Sequence, residues 1–341
     1  MNVWKRLSAV TLASAICMGA LAGCGGSSGK TEGSGTADGA NNDYTIDFVF
    51  KTTSNEYTQY LMAGVQAGAD ELGVKVDMKG ATSETAYDEQ QNMIETDLNS
   101  NKYDAMVVIP LQGDLVATLI ENTDIPIFAM DTDFDSDKKI SLIGVGQEDA
   151  AKKGAIAAVE AAKDAGWEEI KLISIAGVQG DSTAEARKNG YKKGVEEAGG
   201  EFLDKEVQYS DAVADKAVNC MEGIMQNHPE GVAIIACHND DTAMAAARAA
   251  KGNKAYENTI FLGFDGISTA CESILDGVET MTVAQDGYKQ GYTALKTAVD
   301  YLNGNEVESF IDCGAEVITK DNAQEHLDQL NEQMKNYNSN K

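Results

Sequence analysis

The segment PIFAMDTDFDSD, Pro126 to Asp137, joins a short apolar run to aspartates at alternating positions. The run has the length and character of a buried strand, and the carboxylates begin where it ends. Read as a calcium loop from Asp131, the glycine position falls on Ser136 and the bidentate glutamate on Leu142, so an EF-hand is excluded. Asp131 is therefore expected to end the strand and face a site. Asp133, Asp135 and Asp137 are expected on a solvated turn leading to Lys138 and Lys139.

The same pattern, an apolar run and then a polar exit, recurs along the chain. Strands are expected at Thr45–Phe50, Val74–Met78, Ala105–Ile109, Ile125–Met130, Ile140–Val145, Ile170–Ile175, Val232–Ala236, Ile260–Phe264 and Thr280–Ala284. Helix-period segments separate them; Leu61, Val65, Ala69 and Leu72 share one helical face. Alternating strands and helices with near-continuous apolar strands make an α/β chain of parallel sheets covered on both faces. The strands are too many for one open sheet, which predicts two doubly wound lobes. Ligands of such sheets gather beyond the carboxyl ends of the strands. There the chain places Lys51 and Asn55, Pro110 and Gln112, Asp131, Asp181 with Arg187, His238–Asn239–Asp240, Asp265 and Gln285. Carboxylates accept hydroxyl protons and amides both donate and accept, so this set suits a polyhydroxy ligand.

At the start, Lys5 and Arg6 precede an apolar segment from Leu7 to Leu21 that is short for a membrane span. It closes in LAGC, Leu21 to Cys24, and reads as an export signal over residues 1–23. The LAGC resembles the lipobox of bacterial lipoproteins, which implies an acylated Cys24 and a tether to the membrane. Residues 24–43, rich in Gly and Ser, lack any large apolar side chain and are expected to be a flexible spacer. Lys and Arg number 27 against 55 acids, a net charge of −28, which argues against nucleic acid as a partner. Cys220, Cys237, Cys271 and Cys313 form no CxxC pair and fit no zinc spacing, so buried free thiols are expected.

Catalytic motifs do not emerge. GVGQED, Gly144 to Asp149, lacks the third glycine of a dinucleotide fingerprint, and no Walker loop or HExxH occurs. The pair Asp131 and Asp265 would suit a glycosidase, but ligand hydrogen bonding accounts for both without chemistry. Asp240 and Asp241 are expected to start a helix. Lys51 is expected in a salt bridge, His238 in or beside the site, and His228 and His326 at the surface.

In order, YTIDFVFKTTSNEY, YDAMVVIPLQGD, DIPIFAMD, ARKNGY, ACHNDDTAMAAARAA, FLGFDG and TMTVAQDGYKQG resemble the periplasmic ribose- and galactose-binding protein family, the type I solute receptors of ABC sugar importers. The likeness runs from Tyr44 to about Asp321. It implies two Rossmann-like lobes, residues 44–146 with 286–310 and residues 147–285 with 311–337, joined by crossings near Gly146, Asp286 and Phe310. It implies ligand contacts from Asn55, Tyr57, Asp131, Arg187, Asn239, Asp265 and Gln285, with neither metal nor cofactor. Departures are visible: Thr132 stands where the ribose pattern has arginine, Thr58 where it has a second aromatic, and Glu185 competes with Arg187 in register. The expected role is a monomeric, non-enzymatic receptor on the extracytoplasmic face of a bacterial membrane. It would take a small carbohydrate to the transmembrane subunits of an ABC permease; a sensor presenting its closed form to a signalling partner is the alternative.

Overall fold

Each apolar run expected as a strand is one, with ends shifted by a few residues. The computed structural model describes residues 43–339; the export signal of 1–23, the acylated Cys24 and the spacer up to residue 42 lie outside the described residues. The first part of the chain lays down β1 (Thr45–Thr52), α1 (Glu56–Leu72), β2 (Lys75–Ala81), α2 (Tyr87–Leu98), β3 (Ala105–Val108), α3 (Gly113–Ile120), β4 (Ile127–Met130) and β5 (Lys139–Gly144). Next come α4 (Gln147–Asp164), β6 (Lys171–Ala176), α5 (Ser182–Glu197), β7 (Glu201–Phe202), β8 (Gln208–Tyr209), α6 (Ala214–Asn227), β9 (Ile234–Cys237) and α7 (Asp240–Ala250). The chain ends in β10 (Ile260–Asp265), α8 (Ser268–Leu275), β11 (Met281–Gln285), α9 (Gly287–Leu302), β12 (Phe310–Asp312), β13 (Ala315–Ile318) and α10 (Ala323–Ser339).

Two sheets result. One has the order β12-β5-β4-β3-β1-β2, the other β13-β11-β10-β9-β6-β7, with β8 also on β6. All pairings are parallel except β11 with β13. Central strands β3, β4, β9, β10 and β11 are buried at every position, as strands covered on both faces must be. On the first sheet, Phe48, Leu61 and Leu295 sit in the core of one face and Met106, Val116 and Ile120 in that of the other. On the second, Leu172 and Val195 lie on one face and Ile235 and Met221 on the other.

A close helix pair flanks each sheet, and glycine makes the approach possible. A Cβ on Gly64 of α1 would stand 1.9 Å from Tyr288 O of α9, and one on Gly190 of α5 would stand 2.2 Å from Glu148 O of α4. The chain leaves the first sheet after β5 through Val145 and Gly146, and returns through Asp286 into α9. The third passage differs from expectation. Phe310 begins β12, which pairs with Leu142–Gly144 of β5, so the chain crosses at Cys313–Gly314 rather than near Phe310. Strands β7, β8, β12 and β13 have two to four residues and mixed polarity, too little pattern to announce an edge strand.

Candidate ligand-binding cleft

Two carboxylates mark the place where the sheets face each other. Asp131 follows β4 and Asp265 ends β10, and both take a backbone conformation that L-residues avoid, with φ of 61° and 112°. Such geometry costs on the order of 1–3 kcal/mol and persists only where its surroundings impose it. Here they do. Asp131 N donates to Ile143 O at 2.8 Å. After Asp265, Gly266 N and Ile267 N donate to Asp240 Oδ2 at 2.7 and 2.9 Å.

Asn55, Tyr57, Asp131, Arg187, Asn239 and Asp265 line one narrow cavity of about 40 Å³. The first three come from the first sheet's half and the others from the second's. Gln285 is not on the wall. It stands behind, donating to Asp265 Oδ1 at 2.9 Å and accepting from Gln147 Nε2 at 3.3 Å. Asn55 and Asn239 hold their orientation as helix N-caps: Asn55 Oδ1 accepts from Thr58 N at 2.7 Å and Asn239 Oδ1 from Thr242 N at 3.1 Å. Each amide thus keeps its Nδ2 hydrogens for another acceptor. Tyr57 donates to Gln290 Oε1 at 3.0 Å, which fixes its ring.

Arg187 is 3% exposed and ties the wall together. Its Nε donates to Gln147 Oε1 at 2.9 Å, an Nη to His238 O at 2.7 Å, and the other Nη lies 3.4 Å from Asp265 Oδ1. Its guanidinium stacks 3.8 Å from the centroid of Phe264. Desolvation alone would lower its pKa, but Asp265 and Asp131 hold it protonated. Burial pushes Asp265 well above the usual carboxylate range, with Arg187 opposing. His238 lines the cavity, and burial, reinforced by Arg187, drives its pKa far down, so the ring is neutral.

The two halves also touch directly. Lys51 pairs with Asp181, Thr132 Oγ1 meets Thr183 Oγ1 at 2.9 Å, and Ser182 Oγ donates to Asp133 O at 2.8 Å. Glu56, in the first turn of α1, accepts from Ser268 N at 2.9 Å and Thr269 Oγ1 at 2.7 Å at the start of α8. Asp135 and Asp137 are exposed, and Asp133 binds Lys139 and the amide of Phe134. Glu185 turns to Lys188 and Tyr209, leaving the wall position to Arg187. The expectation that His228 and His326 are surface residues is corrected. His228 is half-buried between Glu206 and Glu230, and His326 Nε2 lies 2.9 Å from Gly266 O. Both sit on element ends that fold back against neighbours, which local sequence does not display.

Several wall residues lie outside the expected set. Glu84 enters from the segment between β2 and α2, and Thr183 from the first turn of α5; Ile109 lies just beyond β3. Lys51, placed by its strand exit either at the ligand or in a salt bridge, forms the bridge and lines the cavity too. Gln147 links Asp131, Arg187 and Gln285 but sits in the first turn of α4, where it reads as an ordinary helix start. Only Ile109 and Lys51 carry a usable signal, their place at a strand exit.

Known proteins share this fold. Residues 46–306 match the family model described as periplasmic binding protein domain. The ribose import binding protein RbsB of Bacillus subtilis (strain 168) is 27% identical over 281 residues, covering 80% of this chain and 86% of that protein. The D-allose-binding periplasmic protein of Escherichia coli (strain K12) is 29% identical over 266 residues, 76% of this chain and 85% of that one. Among solved structures, a carbohydrate transporter solute binding protein from Agrobacterium radiobacter, in complex with D-arabinose, superposes with a TM-score of 0.77 at 26% identity. That match covers 85% of this chain and 99% of that one.

Proposed function

The chain belongs to the periplasmic binding protein domain family, and from that premise we propose that it is the receptor of a sugar importer. It takes a monosaccharide or polyol between its two lobes and presents it to the transmembrane subunits of an ABC permease. Cys24 carries the lipid that holds it at the extracytoplasmic face of the membrane, with residues 24–43 as the spacer, and it works as a monomer. The observation that carries this is the pair of strained carboxylates, Asp131 and Asp265, offered from separate sheets to one cavity together with the amides of Asn55 and Asn239. A ligand that reaches both halves favours the closed arrangement by its contacts to each. Binding without turnover is the natural outcome: Asp265 is engaged by Arg187 and Gln285, and neutral His238 makes no hydrogen bond to a carboxylate among the described residues that would orient it for proton transfer.

The similarity to ribose- and allose-binding proteins and to an arabinose complex directs the first trials. Thermal-shift titration with D-ribose, D-allose, D-arabinose, D-galactose and myo-inositol should give a saturable rise in Tm for at least one. Asp265→Asn and Asn239→Ala should lose that rise, with affinity down by roughly 100-fold, at unchanged circular dichroism. Normal binding by both variants would show that the site lies elsewhere.

A further inference from the structure

The charges around the cavity are unevenly partnered, and their pattern extends the sugar-receptor proposal, on which it rests, to the class of sugar admitted. Both cations of the wall already have carboxylates: Lys51 pairs with Asp181, and Arg187 with Asp265 while also donating to Gln147 Oε1 and His238 O. Two wall carboxylates are served poorly or not at all. Among the described residues, Asp131 receives only long side-chain hydrogen bonds, from Gln147 Nε2 at 3.4 Å and Thr132 Oγ1 at 3.3 Å. Glu84 makes no hydrogen bond and no close ion pair among the described residues, although it lines the same cavity. Its desolvation pushes its carboxyl upward against the pull of Lys51, as for an acid short of donors. In addition, Nδ1 of His238, a residue 6% exposed, has no hydrogen-bond partner among the described residues.

The wall therefore offers unused acceptors at Asp131 and Glu84, while its unused donors belong to the neutral amides of Asn55 and Asn239, to neutral His238, and to two cations whose charge is already matched by Asp181 and Asp265. We propose that Glu84 is a specificity-determining residue that sets the charge of the ligand. The cleft takes sugars that present hydroxyl or ammonium hydrogens and refuses those bearing a carboxylate or phosphate. A hydroxyl or ammonium donates to Glu84 and Asp131 and removes their deficit. An anionic group meets two unpaired carboxylates and no unclaimed cation, in a site with little water to screen the repulsion.

The test is calorimetric titration of the protein with matched series: D-galactose, D-galactosamine and D-galacturonate; D-glucose, D-glucosamine and D-glucuronate; D-ribose and D-ribose 5-phosphate. In any series that binds, the anionic member should be weaker than the best other member by roughly 100-fold or more. Glu84→Gln, which keeps the shape, should narrow that gap by about 10-fold, weakening any amino sugar and strengthening the anion. Glu84→Ala, with Tm checked alongside, repeats the test if the amide variant is unstable. An anionic member that binds as tightly as its neutral parent, or a ranking unchanged in the variants, overturns the assignment of Glu84 alone. Silence in every series from folded protein overturns the sugar receptor itself, and the charge filter with it.

Discussion

Asp240 and Asp265 are both buried carboxylates of the second sheet's half, yet they are built in opposite ways. Asp240 is fully buried and well supplied with donors: Gly266 N and Ile267 N on one oxygen, Thr282 Oγ1 at 2.5 Å on the other. Asp265 has one hydrogen bond from Gln285 and a longer contact with Arg187, on a backbone at φ 112°. One acid is completed by the protein; the other is left incomplete where the cavity begins. The difference separates a carboxylate that builds the site from one that serves it, and burial alone does not make the distinction.

The largest effect should come from breaking the complete one. Asp240→Ala leaves two buried N–H groups without an acceptor and should cost about 3 kcal/mol of stability. It also loosens the turn that holds Asp265, so ligand affinity falls with it. Urea unfolding measures the first and calorimetry the second. Asp265→Asn should cost less than Asp240→Ala, because the amide tolerates positive φ and its oxygen can still accept from Gln285 Nε2, although Arg187 loses one of its two carboxylate neighbours. Equal losses of stability in the two variants would erase the contrast.

The same contrast shows what is legible in the sequence. Asp131 and Asp265 can be read there because each ends an apolar run, where strand direction alone decides that a side chain faces the ligand end of a sheet. Asn239 and Asn55 are legible for a related reason, as helix starts beyond a strand. Glu84 and Gln147 escape such a reading because their roles depend on how two sheets are set against each other. Nothing in KGATSETAYDE or in VGQEDA says that a second half stands opposite. Strands β12 and β13 escape it likewise, since an edge strand of three or four residues is defined by its neighbour's open hydrogen bonds, not by its own pattern.

A pH series sharpens the comparison at intermediate size. Burial raises Asp240 from 3.8 to about 7, with Asp241 adding to the rise and the three donors opposing it. Glu279, buried beside it, is pushed well above its usual range by the same desolvation. The folded chain thus keeps protons that the unfolded chain has released. That stabilisation is complete below the unfolded value and is lost as pH rises through about 7. Asp47 in the first sheet, raised to about 7 by burial, adds a slope of the same sign. Wild-type stability in urea should therefore fall between about pH 5 and pH 8, and Asp240→Asn should show a shallower fall. Parallel slopes would mean that Asp240 stays charged in the fold throughout.

The smallest effect should come from a carboxylate that is complete only when the halves meet. Glu56 takes a hydrogen bond from Tyr60 at 2.6 Å within its own helix, and from Ser268 N, Ser268 Oγ and Thr269 Oγ1 across the gap. Desolvation opposes its charge, but those donors, Ser268 first, leave its pKa below the ordinary value. Like Asp240 it is well supplied with donors, four against three, but unlike Asp265 it draws them from both halves, and it is not on the cavity wall. If the chain works as the proposed receptor, Glu56 is placed to weight the closed arrangement rather than to grip the ligand. Glu56→Gln keeps the size but removes the charge that the α8 N-terminus favours. Affinity should drop by only about 3- to 10-fold through a smaller closed fraction, with faster release and the ranking of sugars unchanged. Small-angle scattering of ligand-free protein should show a larger radius of gyration in the variant. A changed ranking would place Glu56 among the ligand contacts, and an unchanged affinity would mean that its bonds to α8 persist when the cleft opens.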